Sequence, residues 1–104
     1  MPQFDIYRNS NPQTCLEIPY LLDVQSDLLE PLATRVVVPL VLAAEMNKPA
    51  KRLNPQFKIE DKTVVMSTAE LAGISRRTLG DKVGTLKEQR AEIVAALDLL
   101  FTGI

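Results

Sequence analysis

The sequence contains no histidine, no tryptophan and a single cysteine, Cys15. Without histidine it lacks the commonest acid–base group near neutral pH and the commonest metal ligand. A Ser-His-Asp or Cys-His centre cannot be assembled from one such chain. One cysteine allows neither an intramolecular disulfide nor a thiolate metal cluster, and Cys15 reads as a half-buried small residue. No metal and no cofactor are expected. Neither sign of charge is in excess: Lys and Arg total 12 and Asp and Glu 13, giving −1. A domain whose main ligand is nucleic acid is usually clearly basic, so nucleic acid is not expected in that role. No basic-then-apolar leader opens the chain. The longest apolar run, Val36 to Ala44, is far short of a bilayer span and contains Pro39. No membrane partner is expected, and the cytoplasm is the expected compartment. Repeats, low-complexity tracts and linkers are also missing.

What remains is a chain of 104 residues, 46% of them hydrophobic. That is enough for a core and fits one domain over residues 1–104. A domain of this size buries only about two-thirds of its unfolded surface, so a homodimer interface is a natural supplement.

Apolar and polar residues alternate over Phe4-Asp5-Ile6-Tyr7, which predicts a first strand. Arg8 to Gln13 is rich in turn formers and predicts a loop. Tyr20 to Val24 predicts a second strand. The β-branched run after Arg35 predicts a central strand covered on both faces and interrupted at Pro39, which has no N–H to donate. Phe57–Ile59 and Thr63–Met66 flank the turn Glu60-Asp61-Lys62 as a hairpin. Ala69 to Gly73 suggests a helical turn, and Asn47 to Pro55 a long exposed loop.

The clearest helix is C-terminal. Thr85 and Glu88 have the spacing of a capping box. Leu86, Ile93, Leu97, Leu100 and Ile104 are spaced for one face, and Gly103 sits where a helix takes a left-handed residue. A helix from about Leu86 to about Phe101 follows. Several antiparallel strands and one terminal helix give an α+β domain, the helix lying across a sheet or small barrel.

The chain ends Leu-Leu-Phe-Thr-Gly-Ile, an apolar terminus where polar, fraying residues are usual. Together with "DVQSD" at Asp23–Asp27 and "RVVVPL" at Arg35–Leu40, this end resembles the CcdB family of toxins from toxin–antitoxin modules. The best-known member carries "DVQSD", "R-x-V-I-P-L" and a final "F-W-G-I". The opening "QFDIY" and the hairpin end "MST" also match, so the resemblance runs from Gln3 to Ile104.

The resemblance implies an SH3-like small β-barrel with a long C-terminal α-helix, a homodimer and no catalysis. It implies binding to the A subunit of DNA gyrase as it holds cleaved DNA, trapping the covalent intermediate. It also implies neutralisation by a cognate CcdA-like antitoxin through a disordered tail. By match to the family, the gyrase-binding residues are Leu28, Leu29, Asp98, Phe101, Thr102, Gly103 and Ile104. In a symmetric dimer the two helix ends would form one surface.

Each of these residues has a plainer reading. Phe101 and Ile104 can finish the helix's own apolar face, and Gly103 can be only a cap. Asp98 opposes the helix dipole at a cost of roughly 0.3–1 kcal/mol, as a tolerated surface acid would. One or both of Leu28 and Leu29 can pack inward. Asp23, Gln25, Ser26 and Asp27 read as a loop-stabilising hydrogen-bond set involving Arg35 rather than as a metal site. Lys48, Lys51 and Arg52, and Arg76 with Arg77, are solvated surface or a dock for an acidic antitoxin tail. Thr102 stands where the best-known member has tryptophan, so stacking of an indole on a gyrase arginine is not available here. Ala91, Val94 and Ala95 are apolar where that member is polar. Two alternatives stay open: a MazF-like ribonuclease toxin, whose related barrel makes fold alone indecisive, and an inactive relative that only binds antitoxin.

Overall fold

In the computed structural model, which describes residues 2–103, seven strands form one antiparallel sheet. They are β1 (Asp5–Asn9), β2 (Tyr20–Asp23), β3 (Thr34–Leu42), β4 (Gln56–Ile59), β5 (Lys62–Met66), β6 (Ala72–Ser75) and β7 (Leu79–Thr85). The order is β4-β5-β3-β2-β1-β7, and β6 pairs with β3. The sheet curls into a half-barrel, and helix α1 (Arg90–Thr102) packs across it. The expected α+β small barrel is therefore found.

The core follows the strand alternation. Ile6, Tyr20, Leu22, Val38, Leu40, Val64 and Met66 point to one side and meet Ile93 and Ala96 of α1. Leu86 closes the same cluster. Tyr20 lies wholly buried, and its hydroxyl donates to Glu60 Oε1 at 2.6 Å. Arg8 holds the other carboxylate oxygen at 2.8 Å, so the β4–β5 hairpin tip is fastened to β1 and β2. That tip has two residues, Glu60 and Asp61, both with positive φ. Two such residues in a two-residue hairpin loop match the strand twist. The turn is one residue tighter than the sequence suggests, since Lys62 already pairs with Ile59.

Pro39 does not interrupt β3. The strand runs through it, with Pro39 opposite Leu21 of β2. The Pro39 carbonyl accepts from the Ser67 N–H at 2.9 Å. Its missing N–H faces the same side, where β5 has ended at Met66 and β6 has not begun at Ala72. The gap between two successive neighbours is where a central strand tolerates proline.

The region after the hairpin differs most from expectation. A 3₁₀ turn at Thr68–Glu70 takes the place of the start of the helical turn, and Ala72 to Thr85 becomes two further strands. Gly73, Gly80 and Gly84 and the charged run in this segment hide the alternation. The β1–β7 pairing also shifts register twice, which breaks the period a strand reading relies on. At one shift β7 comes very close to β1: a Cβ on Gly80 would stand 2.7 Å from the Arg8 carbonyl oxygen.

Helix α1 starts four residues later than the sequence suggests. Leu86 is held by strand-like pairing, its N–H donating to the Phe4 carbonyl at 2.8 Å. A 3₁₀ turn, Lys87–Gln89, intervenes. The Thr85 hydroxyl accepts from the Lys87 N–H at 3.3 Å rather than from Glu88, so the capping box does not form as expected. The other end is as expected. Gly103 adopts φ 75° and ψ 16°, and its N–H donates to the Leu99 carbonyl at 3.0 Å.

Candidate partner-binding surface

Between β2 and β3 the chain makes a 3₁₀ turn, Asp27–Leu29, built on the "DVQSD" stretch. Its polar groups are consumed internally. Asp23 and Arg35 are both fully buried, with Arg35 Nη2 at 2.7 Å and Nε at 3.0 Å from Asp23 Oδ2. Burial pushes the Asp23 pKa up, opposed by the Gln25 N–H and the Arg35 guanidinium. Asp23 Oδ1 accepts from that N–H at 3.0 Å. The Gln25 carboxamide then spans the loop. Its nitrogen donates to the Leu29 carbonyl at 3.0 Å, and its oxygen accepts from the Val36 N–H at 2.9 Å. Ser26 Oγ accepts from the Leu28 N–H at 3.2 Å. Asp27 Oδ1 accepts from the Gln3 N–H at 2.7 Å. The expected hydrogen-bond role of this stretch, with Arg35 as partner, is what the structure contains.

Asp23 and Gln25 are drawn inward while Asp27 stays at the surface, and the leucines are exposed. Leu28 is 90% exposed and Leu29 48%. The reading in which one or both pack inward is thereby corrected.

The second group lies at the end of α1. Asp98, Phe101, Thr102 and Gly103 are all exposed, Phe101 to 68%, so Phe101 does not finish the helix's own buried face. The Thr102 hydroxyl donates to the Asp98 carbonyl at 2.7 Å, folding that side chain back on the helix. Ile104 lies outside the described residues. Leu28 and Leu29 share one turn, and Asp98 to Gly103 share one helix end. Among the described residues no direct hydrogen bond joins the two groups. Gln3 links their elements instead, bonding Asp27 by its N–H and accepting from Arg90 Nη1 at 3.2 Å.

The basic clusters separate. Lys48, Lys51, Arg52 and Arg77 are exposed. Arg76 is engaged, donating to the Glu30 carbonyl at 2.8 Å and to Glu30 Oε1 at 3.2 Å. Its place in a solvated basic patch is corrected: it braces the loop that carries the leucines. Sequence spacing could not pair residues 46 apart. Leu32 on the same loop is also exposed, to 48%, and carries no family motif. The signal was present in the apolar "LLEPLA" stretch between polar neighbours.

Among the described residues no group of three His, Cys, Asp or Glu side chains could hold a metal ion. No helix among them is long and apolar enough to cross a membrane. Residues 3–103 match the family model described as CcdB protein. The chain belongs to the CcdB protein family, toxins of toxin–antitoxin modules.

Proposed function

We propose that this chain is a non-catalytic toxin that binds the DNA gyrase A subunit while it holds cleaved DNA and traps that intermediate. Leu28, Leu29, Asp98, Phe101, Thr102, Gly103 and Ile104 carry the contact. The observation that bears most weight is the exposed helix end, with Phe101 68% exposed just before a left-handed Gly103. A large aromatic left in water at a well-capped helix end suits a protein partner.

The toxin acts as a homodimer. Helix α1 fully buries only Ile93 and Ala96, while Val94, Leu97, Leu99 and Leu100 stay partly exposed. A helix apolar on several sides needs more cover than one sheet provides. Neutralisation falls to a CcdA-like antitoxin with an acidic disordered tail. Lys51 and Arg52 line a cleft against α1, whose flank there carries Glu92 and Ala95, so the cleft has a basic edge on one side and one acid on the other.

Two of the clefts give ribonuclease action no support, whereas the one beside α1 brings Lys51 and Arg52 next to Glu92. One of 590 Å³ is lined by Asn9, Ser10, Asn11, Pro12, Leu21, Ile74, Ser75 and Thr78, without acid or cation. Another gathers Glu17, Glu45 and Glu70 with no basic side chain in its lining. RNA cleavage needs a base, an acid and a phosphate-stabilising cation together.

The test is calorimetric titration of the gyrase A-subunit fragment with the full chain and with a chain lacking Thr102-Gly103-Ile104. Saturable binding by the full chain, lost in a truncation that still folds, is the expected result. Tight antitoxin binding without gyrase binding would identify an inactive relative.

A further inference from the structure

Gln3 and Phe4 run between the two elements of the candidate surface. The Gln3 N–H donates to Asp27 Oδ1 at 2.7 Å, and Gln3 Nε2 donates to the Val24 carbonyl at 3.0 Å. Backbone and side chain of one residue thus both hold the β2–β3 loop. The oxygen of the same carboxamide accepts from Arg90 Nη1 of α1 at 3.2 Å. Phe4 repeats the pattern. Its N–H donates to the Asp23 carbonyl at 2.6 Å, and its carbonyl accepts from the Leu86 N–H at 2.8 Å. The Arg90 guanidinium lies 5.5 Å from its ring centre. Phe4 makes these contacts at φ 72°, where a bulky side chain is an outlier that the surrounding structure imposes.

The free end of α1 depends on what orients its start. The buried residues of the helix, Ile93 and Ala96, lie in its N-terminal half, and none of residues 97–102 is buried. The Thr102 side chain bonds only within the helix, to the Asp98 carbonyl. About 18 Å of helix separates Arg90 from Thr102, so a tilt of about 10° at Arg90 moves Thr102 by about 3 Å. A contact surface made of a loop and a helix end meets one partner at full strength only if the two are already in register. Ordering them on binding would oppose association.

We propose that Gln3 is the positioning residue of the contact surface. Its carboxamide, held between Val24 and Arg90, sets the angle between the β2–β3 turn and the free end of α1, and it touches no partner itself. This rests on the gyrase reading above.

The experiment uses the full chain, the gyrase A-subunit fragment, and the variants Gln3→Ala, Arg90→Met and Phe101→Ala, singly and in pairs. Binding is measured by calorimetry, oligomeric state by sedimentation, and the orientation of α1 relative to the sheet by residual dipolar couplings of the free chain. Gln3→Ala is expected to weaken binding about threefold to tenfold, with the oligomeric state unchanged. In a chain that already carries Phe101→Ala the same change should weaken binding by less than about twofold, because no second group remains to be kept in register. Arg90→Met cuts the other end of the link, so adding it to Gln3→Ala should weaken binding little further. The couplings of residues 97–102 should change in Gln3→Ala, and those of β2 and β3 should not.

Equal weakening with and without the Phe101 side chain means that Gln3 touches the partner or acts through general destabilisation, and overturns the proposal. So does a Gln3→Ala chain that turns monomeric. A Gln3→Ala chain that binds like the parent, or keeps its α1 couplings, overturns the proposal and leaves the gyrase reading standing. If the parent chain does not bind, both fail. Arg90 is exposed, so Arg90→Met decides by the same comparisons even if Gln3→Ala does not fold.

Discussion

Arg35 and Asp23 form an ion pair at 2.7 Å with both side chains fully buried. The pair sits directly beneath the loop that exposes Leu28 and Leu29. Replacing Arg35 by methionine leaves a buried, unpaired carboxylate and is expected to cost about 3–5 kcal/mol. Adding Asp23→Asn to Arg35→Met should recover part of that loss. Urea unfolding of the single and double variants, combined as a double-mutant cycle, measures the coupling. Additive losses would contradict the account.

Gly80 is required by close approach. The Cβ of Gly80→Ala would come within 2.7 Å of the Arg8 carbonyl oxygen, which is backbone and cannot swing aside. A loss of about 1–3 kcal/mol is expected. A Cβ at Gly73 would meet nothing within 4 Å. Gly73→Ala should therefore change the unfolding midpoint far less than Gly80→Ala.

Alkaline pH should destabilise the fold through Tyr20. Its pKa is pushed up to about 12 by burial first and by its hydrogen bond to Glu60 second. Burial likewise raises that of Tyr7, with the Asp5 carboxylate adding to it. An unfolded tyrosine titrates near about 10. A folded pKa above the unfolded one stabilises fully below the unfolded value and loses that contribution as pH rises through the folded value. Stability should thus hold to about pH 10 and fall between about 10 and about 12. Absorbance of tyrosinate should appear late and together with unfolding. Titration of both tyrosines in a folded chain near pH 10 would contradict this.

Thr102 marks a place for gained affinity. Its hydroxyl is turned back on the Asp98 carbonyl, so it offers little outward contact. Thr102→Trp restores the aromatic of the best-known family member and should strengthen gyrase binding by about 0.5–2 kcal/mol through cation–π stacking. Thr102→Val breaks only the back-bond and should change binding little. Calorimetry on the two variants separates these outcomes.

Much of this was legible in the sequence, for physical reasons that also explain the gaps. Local signals carried over: β-branched residues after Arg35, alternation around Ile6 and Leu22, and Gly103 past an apolar run. The Asp23–Arg35 relation was visible because an acid-rich turn precedes a strand with arginine near its start. Features set by distant partners were not. The Arg76–Glu30 contact joins residues 46 apart in the chain. Pro39 looked like a break because the change of neighbour along β3 is a tertiary fact. Strands β6 and β7 lacked alternation because bulges and glycines interrupt it. The helix start was misplaced because the Phe4 carbonyl captures the Leu86 N–H. At the candidate site, the family motif indicated Leu28 and Leu29 but not their exposure.

The most direct measurement incubates gyrase and supercoiled plasmid with the purified chain, then denatures the protein and counts linear DNA. Linear DNA that rises with the chain's concentration, and drops in the folded variants Leu28→Ser and Phe101→Ala, is the predicted result. Phe101→Ala should leave stability within about 0.5 kcal/mol of the parent, since its side chain is mostly in water. No linear DNA with gyrase from the chain's own host, at concentrations where the chain is folded, would contradict the account.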